Sequence, residues 1–124
     1  MAHTVLVVDD DPVVHCVLCR VLEGAGYQLA RANNGREALE LATRDLPQLI
    51  ILDVLLPDMG GLTVLRQLKE AEATKGIPVI VLTSLAQRTT QLEATASGAD
   101  LFLSKPFTEA QLLTALRQLL PEPR

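Results

Sequence analysis

The sequence predicts an α/β fold, a doubly wound five-stranded parallel sheet with helices on both faces, and three observations carry that prediction. Short apolar runs alternate along the whole chain with stretches whose apolar residues recur at helical spacing. The run Leu49-Ile50-Ile51-Leu52 is unbroken, as in a strand covered on both faces, and it ends in Asp53. Five strands separated by helical patterns within 124 residues imply parallel neighbours, because a right-handed crossover needs a helix between them. The strand order 2-1-3-4-5 is expected for such a sheet, and ligands of open α/β proteins collect at the carboxyl edge where the order reverses.

The first strand is read over Thr4 to Val8 and leads into Asp9-Asp10-Asp11-Pro12. Asp11 suits a helix N-cap, and Pro12 suits the first turn, where a missing N–H is harmless. This helix runs to about Ala25 with Val14, Val17, Leu18, Val21, Leu22 and Ala25 as its stripe, and Gly26 stops it. Strand two, about Gln28 to Arg31, is short and partly polar, as befits a sheet edge. Asn34, with Glu37 three residues on, makes a capping pair for the second helix, which continues to about Arg44. Pro47 marks the entry to the central strand, and Pro57-Asp58-Met59-Gly60-Gly61 is the loop beyond it. The third helix is expected over Leu62 to Ala73, with Val64, Leu65, Leu68 and Ala71 inward. Gly76 and Pro78 introduce strand four, Val79 to Leu82. The fourth helix, about Gln87 to Ala96, is the weakest, since three threonines lower its propensity and Leu92 is its one large apolar residue. Gly98 closes it, Leu101 to Ser104 is strand five, and the leucine-rich last helix spans about Glu109 to Leu120. Residues 1–120 make one domain, and Pro121-Glu122-Pro123-Arg124 is a tail or the start of a linker.

A chain of this length buries roughly 65–70% of its unfolded surface without staples. The apolar fraction of 48% is spread in short runs, so no spanning segment is expected. Met1-Ala2-His3-Thr4 lacks the basic flank and apolar stretch of a signal peptide, which points to the cytoplasm. A net charge of -4 with scattered Lys and Arg argues against direct binding to nucleic acid or anionic membrane. The expected partner is a protein or a small molecule.

In the expected order, strands one and three are neighbours, and Asp9, Asp10 and Asp53 converge on one crevice. Clustered carboxylates repel unless a cation sits among them, and oxygen ligands in an open cleft suit Mg²⁺. Thr83 leaves the same edge after strand four, and Lys105 after strand five, about 10 Å from strand three, a gap its long stem closes in large part. A carboxylate, a metal, a hydroxyl and an ammonium around one point are what in-line phosphoryl transfer needs. Asp53 is the expected nucleophile, giving an acyl phosphate.

The segments Val7-Val8-Asp9-Asp10-Asp11-Pro12, Leu52-Asp53-Val54-Leu55-Leu56-Pro57-Asp58-Met59-Gly60-Gly61, Leu82-Thr83-Ser84 and Lys105-Pro106-Phe107 resemble the receiver domain of two-component response regulators. The likeness covers essentially the whole chain and implies a flavodoxin-like (βα)5 fold. Receiver domains themselves exemplify the 2-1-3-4-5 order, so that order belongs to the resemblance as much as to the alternation. The resemblance implies that Asp53 accepts a phosphoryl group from a histidine kinase or histidine phosphotransfer protein. It implies that Asp10 and Asp53 hold Mg²⁺ directly, that Asp9 acts through water, and that the Leu55 carbonyl completes the protein ligands. Thr83 and Lys105 would each hold a phosphoryl oxygen, and Lys105-Pro106 would be a cis bond. Phe102 lies where the family often has an aromatic that swings inward, coupling the site to the face made by the fourth helix, strand five and the last helix. That face would then bind an effector protein or output domain, and a phosphorylation-dependent dimer is left open.

Two departures stand out. Phe102 has no hydroxyl, and Leu101 replaces the second acid that the transcription-factor branch usually has after Asp100. Two other functions compete with the phosphorylated switch. One is an unphosphorylated pseudo-receiver scaffold, against which the intact acidic set and Lys105 speak. The other is a haloacid dehalogenase-type phosphatase, whose nucleophile is normally followed two residues later by a second acid, where this chain has Leu55. The receiver reading is of a switch that takes part in its own phosphoryl transfer and dephosphorylation rather than an enzyme. Cys16-Val17-Leu18-Cys19 looks like a redox pair but lies well inside helix one, where no junction stabilises a thiolate. His3 and His15 lack partners at ligand spacing, which leaves them surface or packing roles. Leu55 and Leu85 make the approach to the phosphoryl group apolar, so slow water attack is expected. Replacing both with polar residues should shorten the lifetime of the phosphorylated state, and an unchanged lifetime in a dephosphorylation time course would refute the idea.

Overall fold

The computed structural model describes residues 4–54, 56–83, 98–104 and 107–120. Within them lie β1 (Thr4–Val8), α1 (Pro12–Gly24), β2 (Gln28–Ala32), α2 (Gly35–Asp45), β3 (Leu49–Asp53), α3 (Gly61–Glu70), β4 (Val79–Thr83), β5 (Leu101–Ser104) and α4 (Glu109–Leu119). The strands form one sheet in the order β2-β1-β3-β4-β5, and every pairing is parallel. The helix expected at 87–96 and the tail at 121–124 fall outside the described residues.

Strand alternation divides the core into two layers. Val5, Val7, Leu49, Ile51, Ile80, Leu82 and Leu103 face one side, against Leu18 and Leu22 of α1 and Leu112 and Leu116 of α4. Leu6, Val8, Ile50, Leu52, Val79 and Val81 face the other, against Ala38 and Ala42 of α2 and Val64, Leu65 and Leu68 of α3. Every residue of β3 is buried, which is why its apolar run has no polar alternation. Each large aliphatic side chain so covered is worth about 1.5–3 kcal/mol. Phe102 is half-buried in the α2–α3 layer beside Val81 and Ala99.

The helix starts follow from their caps. Asp11 accepts the Val13 N–H at 2.9 Å, with Pro12 in the first turn of α1. Asn34 accepts the Glu37 N–H at 2.8 Å, while the Glu37 carboxylate reaches back to the Asn33 N–H. Thr108 and Gln111 form a reciprocal capping box on α4. Beyond α1, Gly26 takes φ 94°, a left-handed turn that suits glycine.

Two helices depart from expectation. The buried line of α1 runs through His15, Leu18 and Leu22, so Val17 is turned out and 44% exposed. The third helix ends at Glu70, and Ala71 is extended and exposed rather than inward. Thr74 explains the early stop: its buried hydroxyl donates to the Leu68 carbonyl at 2.7 Å, and its N–H and that of Lys75 take the Ala71 carbonyl. The turn is held further by Lys69, whose ammonium donates to the Ile77 carbonyl at 2.7 Å and pairs with Asp100 at 3.2 Å. Asp100 also accepts the Val79 N–H at 2.8 Å, so this acid ties the start of β4 to the approach to β5.

The loop after β3 is pinned at two points. Asp58 accepts the Arg36 N–H at 2.9 Å and the Gly35 N–H at 2.8 Å, closing the free N-terminus of α2. Those two N–H groups, Arg36 first, hold the Asp58 carboxyl below the ordinary aspartate value. At the start of α3, the Gly61 N–H donates to the Val54 carbonyl at 2.7 Å, and a Cβ on Gly61 would lie 2.2 Å from the Asp53 carbonyl oxygen. Gly61→Ala therefore forces backbone apart and should cost about 1–3 kcal/mol in urea unfolding. Because the folded value of Asp58 is lowered, its contribution is present at neutral pH and lost as pH falls through that value. Asp58→Asn should be less stable than the parent at neutral pH, with the gap narrowing in acid; a gap that is constant with pH would contradict the capping role.

Candidate functional site

Parallel pairing of β1 with β3 sets Val8 against Leu52, so the next residues of each strand, Asp9 and Asp53, emerge side by side at the carboxyl edge. Asp10 follows in the turn to α1, and oxygens of Asp9, Asp10 and Asp53 all lie within 4.8 Å of one another. Asp9 is 0% and Asp53 6% exposed, whereas Asp10 opens to solvent. Two buried carboxylates beside a third are costly without compensation from donors or a cation. The Asp11 N–H supplies one donor, to Asp9 Oδ1 at 2.9 Å. The donor set is all hard oxygen with one solvent-facing member, which fits a magnesium ion that keeps part of its water shell.

The backbone beneath the acids is fixed. The Asp9 N–H donates to the Ala32 carbonyl at 3.2 Å, and the Val54 N–H to the Leu82 carbonyl at 3.1 Å, extending the ladder on both sides of the cluster. Asp53 is the register partner of Leu82, so Thr83, the last residue of β4, lies one position beyond on the neighbouring strand. The structure thus brings together Asp9, Asp10 and Asp53, with the Thr83 backbone at the same edge. Leu55, Leu85, Lys105 and Pro106 lie outside the described residues.

Three residues around the site have no part in it on sequence reasoning. Gly61 lets α3 start against the Asp53 carbonyl, and its only signal is the Gly-Gly pair before an apolar helix. Asp58 has only a loop position in the sequence, because its cap on α2 joins residues far apart along the chain. His15 is 3% exposed, and its Nε2 donates to the Asp9 carbonyl oxygen. Of the surface or packing roles expected for His15, the buried one is found, with this hydrogen bond added. The cysteines are both free, and Cys19 is hydrogen-bonded to Glu23, which pushes its thiol up and away from thiolate chemistry. Among the described residues, no helix is long and apolar enough to cross a membrane.

Comparison with known proteins agrees with this geometry. The family model of the response regulator receiver domain matches residues 5–117. The DNA-binding dual master transcriptional regulator RpaA of Synechocystis is 40% identical over 116 residues, which is 94% of this chain and 48% of that protein. The chain thus spans about half the length of this curated relative. Among solved structures, the Vibrio cholerae chemotaxis protein CheY4 superposes with a TM-score of 0.91 at 32% identity, covering 97% of this chain and all 100% of that one. The receiver domain of the Pseudomonas aeruginosa sensor histidine kinase PA1611, solved with a magnesium ion in its active site cleft, gives a TM-score of 0.89 at 28% identity, covering 96% and 98%. With its sheet order, its acidic edge and a family match over nearly its whole length, the chain belongs to the response regulator receiver domains of two-component signalling.

Proposed function

We propose that this receiver is a phosphorylation-dependent switch whose acceptor is Asp53. The observation that carries the reading is the gathering of Asp9, Asp10 and Asp53 within 4.8 Å at the carboxyl edge, with Asp53 buried. The donor is a phosphohistidine of a histidine kinase or histidine phosphotransfer protein. An Asp53 carboxylate oxygen forms the new P–O bond as the P–N bond to the donor imidazole breaks, and the imidazole leaves with the electron pair. Asp10, Asp53 and the Leu55 carbonyl would hold Mg²⁺ directly, and Asp9 would act through water. When bound, the ion neutralises charge on the transferring phosphoryl oxygens. Thr83 would donate to one phosphoryl oxygen, and Lys105 would pair with another.

Phosphorylation adds about one negative charge and strong acceptor oxygens at the rim. That drives a switch when the segment after β4 has two arrangements of similar energy. The output is the face that carries β5 and α4, which takes an effector protein or an output domain in a longer chain. A cytoplasmic location accords with this role, and residues 1–120 act as one unit. Incubation with acetyl phosphate and Mg²⁺, followed by intact mass, tests the reading. The parent should gain one phosphoryl group, and Asp53→Ala or chelation of the metal should abolish the gain. An unmodified parent, or an Asp53→Ala variant labelled as fully, would refute it.

A further inference from the structure

His15 is a core residue of α1 with an unusual environment. It lies in the first turns of the helix, buried to 3% exposure, and its Nε2 meets the carbonyl oxygen of Asp9. A carbonyl only accepts, so Nε2 carries the proton. The other ring nitrogen, Nδ1, is buried and has no hydrogen-bond partner among the described residues. Packing alone does not account for a histidine here, because Leu or Met fills similar space without burying an unpartnered polar nitrogen. What His15 adds over an apolar residue is one N–H aimed at one particular peptide.

That peptide is the one joining Asp9 to Asp10. Peptide planarity means that holding its oxygen sets ψ of Asp9 and φ of Asp10, and with them the directions in which both carboxylates leave the chain. The Asp11 N–H donates to the Asp9 carboxylate at 2.9 Å, while the ring of His15, from α1, donates to the Asp9 carbonyl. The His15 N–H itself donates to the Asp11 carbonyl at 3.2 Å, closing the loop on the first turn of α1. We propose that His15 is a positioning residue, which orients the Asp9–Asp10 peptide so that the acidic cluster is preorganised for a divalent cation. The proposal rests on the functional reading above. It follows the general behaviour of outer-sphere hydrogen bonds, whose loss typically weakens metal binding by about 10–100-fold.

Glutamine places an amide nitrogen where the imidazole has Nε2, asparagine reproduces the Nδ1 position, and methionine keeps the bulk without a donor. The test compares parent, His15→Gln, His15→Asn and His15→Met. Mg²⁺ affinity is read by calorimetric titration, and the amide resonances of Asp10 and Asp11 are read in the metal-free proteins. His15→Met and His15→Asn should bind Mg²⁺ at least about tenfold more weakly and shift both amides, and His15→Gln should restore both properties. Parental Mg²⁺ affinity in folded His15→Met or His15→Asn, or a glutamine variant as weak as the methionine one, would overturn the proposal. If His15→Met does not fold, the contrast of Asn with Gln carries the test. A parent that fails to bind Mg²⁺ would overturn the functional reading instead, and the amide resonances would still decide whether His15 holds the peptide.

Discussion

Three carboxylates gathered at the end of the two central strands are the constraint to which the surrounding structure answers. Asp9 and Asp53 are withdrawn from water while Asp10 faces it, and the charges lie close enough to repel strongly. A site of that kind persists only where the backbone beneath it cannot relax. Strand pairing on both sides, the Asp11 and His15 hydrogen bonds around Asp9, and the start of α3 against the Asp53 carbonyl supply that rigidity. The buried strand β3 is part of the same answer, because parallel pairing with β1 on one side and β4 on the other holds its register from both edges.

The loops are fastened by polar groups that reach across the sequence. Asp58 closes α2 from the loop after β3, and Asp100 with Lys69 ties the approach to β5 to the end of α3 and the start of β4. Both acids use their charge inside this domain. For Asp100 this bears on the family likeness, since an acid at that place pairs here with Lys69 and the neighbouring Leu101 is half-buried. The site and its supports therefore share one backbone frame, and the carboxyl edge is held from α1, α2 and α3 together.

The sequence by itself determined the fold and the acidic centre. Alternating apolar runs and helical stripes define strands and helices through periodicities of 2 and 3.6, and parallel crossovers then leave few strand orders. The caps Asp11 and Asn34 were legible because capping acts within three residues. Asp9, Asp10 and Asp53 were legible because each follows a strand end, and strand ends of a parallel sheet share an edge.

Tertiary structure alone decided what depends on distant partners. Nothing local marks Asp58 as the cap of α2, Asp100 as the partner of Lys69, or His15 as the holder of the Asp9 carbonyl. The rotation of α1 that buries His15 and exposes Val17 is set by docking against the sheet, and the early end of α3 by a threonine that folds back on Leu68. Local pattern marks which groups call for a partner, since a polar group is costly to bury alone, but which group answers is settled only when the chain has closed on itself.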